Sequence, residues 1–276
     1  MDLGLSGRSA AITGGSRGIG LATARVLLAE GANVLLVARS ADRLADAAAA
    51  CAAQPAGAGA GAGPGRGSVK TLALDITDPD AGERLLAAGE AAFESIDVLV
   101  NSAGAVRIVA LAEHTEADWA QQWELNVRGP ERLMRAVAPP MAARGWGRIV
   151  NVSSVSGKRP SRRYAAYSVA KAAQLSLSRV YAEEYAGRGV LVNAVTPGVV
   201  IGEMWEEAGG LADQVAATTH TPRDRVLADL AAGLHRRALG TVDEIAAVIA
   251  FLCSDAAANV VGAAWSVDGG AMPGII

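Results

Sequence analysis

Aromatic side chains are scarce in this 276-residue chain, 4% against 51% hydrophobic residues overall. A core of that composition must be packed by Ala, Val, Leu and Gly, as a parallel sheet wrapped by helices prefers. Cysteine is nearly absent: Cys51 and Cys253 lie far apart and belong to no CxxC pattern. A disulfide framework is thereby excluded, and buried thiols in a reduced, cytoplasmic protein are the reading that remains. No charge of one sign dominates. The net charge is −3 with both signs scattered, so there is no electrostatic footprint for nucleic acid. No apolar run approaches the roughly 20 residues of a membrane span, and the chain enters its first strand without a signal peptide. The partner to expect is a small molecule, not nucleic acid or membrane. The length would accommodate two domains, but α/β folds of this size are often one, and a single domain over 1–276 is expected.

What is present centres on Ser154 to Lys171, SVSGKRPSRRYAAYSVAK. Ser154 closes an apolar run, and Tyr167 and Lys171 stand four apart in a stretch of helix formers without Gly or Pro. Such positions share a helix face, so the Lys171 ammonium can reach the Tyr167 phenol. A phenol near its ordinary value of about 10 is a poor acid–base catalyst, and a neighbouring cation is expected to lower it. On an ordinary helix the same pair is a surface contact, so the rest of the chain must decide between the two.

Ser9–Thr13 reads as a strand, followed by a glycine-rich turn and an amphipathic helix with Gly31 as its C-cap. Gly14 permits the tight turn, Gly18 lets backbone approach a pyrophosphate, and Gly20 lets the helix pack on the strand. Asn33–Val37 is a second strand. Where folds using the unphosphorylated dinucleotide place an acid on the ribose, this chain has Ala38-Arg39-Ser40. Arg39, with Arg17 from the glycine turn, is suited to a 2′-phosphate, which favours NADP(H) over NAD(H). Pro55–Ser68 is a low-complexity Gly/Ala run and reads as a flexible surface loop. Val69–Leu74 is a third strand, and Asp75 just beyond it either bonds an adenine amino group or caps a turn.

Asp97–Val100 begins a fourth strand, with small residues after it at Asn101-Ser102-Ala103-Gly104. A long helix is predicted over Glu116–Arg144. Within it Pro130 has no N–H, freeing the carbonyl of Asn126 to hold a water on a proton path, or simply bending the helix. Arg148–Val152 and Leu191–Val195 are the next strands, the latter followed by Pro197-Gly198. Val199–Arg237, interrupted by glycines, reads as a substrate lid in which Met204 and Trp205 form an apolar wall. Thr241 and Glu244 form a capping box for the last long helix, and Ala263–Val267 closes the sheet. Lys158, Arg159, Arg162 and Arg163 crowd the loop before Tyr167. They would attract an anionic substrate such as a phosphopantetheine thioester if they faced the site, but a solvated loop or subunit contact is the preferred reading.

Taken together, TGGSRGIG at Thr13–Gly20, the Asp75 turn, NSAG at Asn101–Gly104, Asn126, Ser154, YSVAK at Tyr167–Lys171 and Pro197-Gly198 resemble the short-chain dehydrogenase/reductase family over nearly the whole chain. The look is nearest to 3-oxoacyl-carrier-protein reductases. The resemblance implies one Rossmann-type doubly wound α/β domain, a seven-stranded parallel sheet with helices on both faces. It also implies a homotetramer paired through the helices of Asn126 and Tyr167. It assigns proton transfer to Tyr167, stabilisation of the substrate oxygen to Ser154, ribose binding and tuning of the phenol to Lys171, and a water relay to Asn126. Cofactor contacts are implied at Gly14, Ser16, Arg17, Gly18, Ile19, Gly20, Arg39, Asp75, Ile76, Asn101, Ala103, Gly104, Tyr167, Lys171, Pro197, Gly198 and Val200. The implied activity is an NADP(H)-dependent ketoreductase, with small carbonyl compounds or acyl thioesters as substrates. The alternatives are an NAD-dependent secondary-alcohol or hydroxysteroid dehydrogenase and a non-catalytic nucleotide sensor. One position departs from the family pattern: Gly202 stands where a hydroxyl residue often follows the Pro-Gly turn, so the carboxamide contact falls to backbone near Val200.

Overall fold

A computed structural model describes residues 2–53 and 67–273 of the chain. The expected loop at Pro55–Ser68 lies outside them except for Gly67 and Ser68. Its last residue is joined to the sheet: the Ser68 amide and hydroxyl both donate to Asn33 Oδ1, at 3.0 and 2.7 Å.

Strand β1 (Ser9–Thr13) runs through the glycine turn into helix α1 (Gly18–Ala29). The helix ends at Glu30, with Gly31 next at φ +82°, the left-handed turn glycine tolerates best. Then come β2 (Asn33–Ala38), α2 (Ala41–Ala52), β3 (Val69–Ala73), α3 (Ala81–Phe93) and β4 (Val98–Asn101). Ser40 caps α2, accepting from the Arg43 amide.

The expected long helix is α4 (Glu116–Trp123), one π turn (Glu124–Arg128) and α5 (Gly129–Ala143). In the turn the hydrogen-bond ladder widens to five residues, Gly129 donating to Glu124. Pro130, which has no N–H for the Asn126 carbonyl, follows directly. Strand β5 (Gly147–Val152), short α6 (Val155–Lys158), long α7 (Ala165–Tyr185) and β6 (Val190–Pro197) complete the central part. The segment expected as a lid holds β7 (Val200–Ile201), α8 (Glu203–Glu206), α9 (Leu211–Thr219) and α10 (Arg223–Ala232). After it come β8 (Gly240–Thr241), α11 (Val242–Leu252) with the predicted Thr241/Glu244 capping box, and β9 (Ala264–Val267).

Seven strands form one parallel sheet in the order β3-β2-β1-β4-β5-β6-β9, and β7 pairs with β8 beside it. The chain reverses direction of growth between β1 and β4, which opens a crevice at their carboxyl ends. Aliphatic residues alternate along the inner strands into two cores, Ile12, Val34, Val100 and Val150 on one face and Ala11, Leu35, Leu99 and Ile149 on the other. Cys51 and Cys253 are buried, as expected. Among the described residues no helix is long and apolar enough to cross a membrane.

At the opposite end of the sheet the Arg8 and Arg148 guanidinium groups lie over the Trp146 ring, 3.7 and 4.3 Å from its centroid. Trp146 Nε1 and Arg148 Nη2 both donate to Asp255 Oδ1, at 3.0 and 3.2 Å. This cluster ties β5 to the turn after α11. Trp146→Ala should lower stability by about 2–3 kcal/mol, because packing, two cation–π contacts and a hydrogen bond go together. Urea denaturation measures it, and a loss under about 0.5 kcal/mol would show the cluster to be ornamental.

Candidate active site

The crevice is a cleft of about 1350 Å³ that runs from Asp75 and Thr77 past the glycine turn to Tyr167 and the α8 segment. Its floor is shaped by glycine. Gly14 sits at φ +65°, and a Cβ there would stand 3.0 Å from the Ala103 backbone, so the turn and the end of β4 lie in direct apposition. Gly20 lines no part of the cleft: a Cβ on it would meet the Gly14 carbonyl at 2.4 Å. It is the packing glycine the sequence suggested. Gly18, at φ +56°, has nothing within 4 Å of its Cβ position, so the space over the N-terminus of α1 is free for an anion. That combination fits a dinucleotide.

Ser154, two residues beyond β5, caps α6, its Oγ accepting from the Ser156 amide at 3.1 Å. Tyr167 and Lys171, on the first turns of α7, face the same cleft, with Nζ 5.7 Å from the Tyr167 ring centroid. Two close contacts set this geometry. Ser153 Oγ donates to the Lys171 carbonyl at 3.0 Å, and Gly157 packs where a Cβ would lie 2.9 Å from that carbonyl. Lys171 Nζ donates to the Val152 carbonyl at 2.8 Å and to Gln174 Oε1 at 3.1 Å.

The electrostatics differ from the expectation that the ammonium lowers the phenol. Burial pushes Tyr167 up to about 12, and a hydrogen bond from Ser154, which favours the phenolate, does not offset it. The same burial pulls Lys171 down to about 7, so the cation meant to act on the phenol is itself weakened. Desolvation outweighs attraction between the two.

Asn126 lies beside this pair. Its Nδ2 donates to the carbonyl and Oε1 of Gln122, while its buried Oδ1 has no partner among the described residues. The Cβ position of Gly104 lies 3.6 Å from that oxygen and 3.8 Å from Lys171 Nζ, which brings the three residues together. Asn101 is not a cleft residue. Its side chain turns between the strands and donates to Asn151 Oδ1 at 2.7 Å, in a buried chain that continues to Ser178. Ala103, Gly104, Ser16, Ile19, Ile76, Pro197, Gly198 and Val200 all line the cleft.

A family profile described as short chain dehydrogenase matches residues 8–210. The chain belongs to the short-chain dehydrogenase family. This short-chain dehydrogenase is 35% identical to the 3-oxoacyl-[acyl-carrier-protein] reductase FabG of Escherichia coli over 97% of its own length and 98% of the relative's. It is 38% identical to the galactitol 2-dehydrogenase of Cereibacter sphaeroides, covering 96% and 95% of the two chains. Among solved structures, L-sorbose reductase from Gluconobacter frateurii, in complex with NADPH and L-sorbose, superposes with a TM-score of 0.89 at 32% identity, over 100% of both chains.

Arginine placement in the short-chain dehydrogenase cleft divides what the sequence had joined. Arg39 lines the cleft beside Asp75. Burial works to raise the Asp75 carboxyl, but hydrogen bonds from the Thr77 amide and hydroxyl, with the Arg39 charge, outweigh it and hold the group below its usual range. Arg17 instead reaches the far wall, pairing with Glu203 at 3.3 Å and Glu207 at 3.0 Å. Sequence reading missed Arg43, one turn into α2, which lines the cleft next to Arg39; among the described residues neither forms an ion pair. Its signal was the i+4 spacing from Arg39. Gln174, i+3 from Lys171, was missed for the same reason. The basic loop before Tyr167 lines none of the cleft. Lys158 is tied to β9, donating to the Ala264 carbonyl at 2.6 Å and Ser266 Oγ at 3.0 Å.

Proposed function

We propose that this enzyme is an NADP(H)-dependent oxidoreductase that interconverts ketones and secondary alcohols, with 3-oxoacyl thioesters as its substrate class. The observation that carries the redox reading is the convergence of Ser154, Tyr167 and Lys171 at one end of a cleft whose other end holds the glycine turn and Arg39. When bound there, a nicotinamide dinucleotide supplies the hydride. Gly14, Ser16, Gly18 and Ile19 would hold its pyrophosphate, Arg39 and Arg43 its 2′-phosphate, and Asp75 and Ile76 its adenine. Ala103, Gly104, Pro197, Gly198 and Val200 would line its remaining length. Arg17 serves the wall of the cleft more than the phosphate.

In reduction Tyr167 donates its proton to the substrate oxygen, and Ser154 hydrogen-bonds that oxygen as charge develops on it. Lys171 orients the cofactor ribose and supplies positive charge behind the phenol. Asn126 stands at the inner end of the route by which the proton is restored. With the phenol pushed up to about 12, the proton-donating form is fully populated at neutral pH. The α8 segment acts as part of a lid, with half-buried Trp205 and exposed Met204 on its cleft side, and an apolar wall of this kind suits an acyl chain.

A ketose or polyol substrate is the second reading, favoured by the likeness to galactitol 2-dehydrogenase and L-sorbose reductase. Following NADPH and NADH oxidation with 3-oxoacyl thioesters and with ketoses decides between them. Turnover of ketoses alone would remove the thioester assignment, and turnover of nothing with either nucleotide would remove the redox reading. A homotetramer is also proposed: Trp123 and Val180, on the helices of the family's pairing, are 45% and 60% exposed. Light scattering should give four chains, and a monomer would refute it.

A further inference from the structure

We infer that Gln174 is a positioning residue that holds Lys171 in its charged, productive orientation, an inference that rests on the reading of Lys171 as part of the catalytic set. Lys171 and Gln174 are 3% and 1% exposed, so neither can exchange its partner for bulk water. The ammonium has three donors and, among the described residues, two protein acceptors, the Val152 carbonyl at 2.8 Å and Gln174 Oε1 at 3.1 Å. The first is backbone and common to any side chain at that position. The second is chosen by the sequence, because residue 174 lies one turn beyond Lys171 on the same face of α7.

The orientation of the Gln174 amide follows from this contact. Were it reversed, its NH₂ would face an ammonium, donor against donor, so the oxygen must point at Nζ. The cost is visible on the other side of the amide: Gln174 Nε2 is buried without a partner among the described residues. A buried orphan donor destabilises the fold, a cost that is tolerated where the oxygen of the same amide is put to use. Ser178 Oγ, one turn on, donates to the Gln174 main-chain carbonyl at 2.8 Å and leaves the side-chain amide to Lys171.

Among the described residues no charged side chain shifts Lys171; burial alone does. The Lys171 ammonium faces the Tyr167 ring on its own helix, the Val152 carbonyl at the end of β5 and Gln174 Oε1, with neutral Asn126 from the π turn nearby, while Ser153 and Gly157 contact its main-chain carbonyl. Tyr164, before α7, acts on Tyr167. The charged residues Glu131, Arg135 and Arg128, from the π turn and α5, act on Tyr181 farther along α7. Burial alone pulls Lys171 toward neutrality, to about 7. An oxygen acceptor at hydrogen-bond distance opposes that pull, because a hydrogen bond to a charged donor is stronger than one to a neutral donor.

The consequence is a pH dependence with a defined sign. Ketone reduction requires the ammonium, so the rate declines as pH rises through the Lys171 pKa. Gln174→Met keeps the shape of the side chain but removes the acceptor, so the decline should begin at lower pH, by about one unit. Gln174→Glu places a carboxylate at Nζ and should move it to higher pH. The test records kcat/KM for NADPH-dependent reduction against pH for wild type and both variants. Alongside it, ¹³C NMR titration of the lysine side chains, with Lys171→Met as the assignment control, reads the group without turnover.

Opposite shifts in Met and Glu variants, with melting temperatures near wild type, establish the role. Unmoved profiles and an unmoved titration in folded variants overturn it, since a purely structural glutamine would change melting temperature only. Gln174→Asn, one methylene shorter, is the substitute if Met fails to fold, with the same downward shift expected. Lys171→Met with undiminished turnover would instead refute the catalytic reading of Lys171, a result separable from failure at Gln174.

Discussion

Tyr167→Phe is expected to lower kcat by roughly 10³-fold or more, with the Kd for NADPH changed less than about threefold. The expectation rests on geometry. The phenol stands in the cleft beside Ser154 and within reach of Lys171, and the ring that remains in Phe fills the same space. Removing one oxygen therefore removes the proton donor and leaves the walls intact. Stopped-flow turnover with fluorescence titration of NADPH separates the two quantities. Retained turnover would place the donor elsewhere. A matched loss of nucleotide binding would mean that Tyr167 shapes the cofactor site rather than the reaction.

The second large effect concerns the nucleotide. Arg39→Asp should change the ratio of kcat/KM for NADPH over NADH by about 100-fold in favour of NADH. The substitution would delete the proposed charge-assisted contact to the 2′-phosphate and set a carboxylate against that group. It also places that carboxylate near Asp75, whose own charge Arg39 now helps to stabilise. Arg17→Ala should leave the ratio within about threefold, because Arg17 is engaged by Glu203 and Glu207 across the cleft. Its loss should act on both nucleotides alike, through the wall of the cleft. An unchanged ratio in Arg39→Asp removes Arg39 from the phosphate site. A collapse of the ratio in Arg17→Ala would return the phosphate to Arg17.

Much of this molecule is legible in its residues. Strands at Ser9–Thr13, Asn33–Ala38 and Gly147–Val152 are short aliphatic runs with turn residues at both ends, each within a residue of its sequence reading, and a strand buried on both faces needs no more. The glycine turn is read from its conformational demands, met in the structure at Gly14 and Gly18. Tyr167 and Lys171 share a face because helix geometry alone puts i and i+4 there. Even the break in the long helix was marked by Pro130, although a π turn before it, not a simple kink, is how the chain resolved it.

Other features escaped a one-dimensional reading besides Arg43 and Gln174. Asn101 follows a strand, but which face its side chain takes depends on register against β5 and on Asn151. Arg17 and Lys158 carry charge, and charge on a long side chain finds partners 186 and 106 residues away that no local pattern announces. The acidity of Tyr167 depends on how deeply it and Lys171 are buried, which only packing sets. Residue spacing determined the order of the strands in the chain, the phosphate turn and the Ser–Tyr–Lys triad, because these depend on backbone conformation over a few residues. Tertiary structure alone decided which arginines line the cleft unpaired among the described residues and which is held by distant acids, which asparagine lies near the lysine and how acidic the phenol is, because dielectric surroundings and distant charges exist only once the chain has closed on itself.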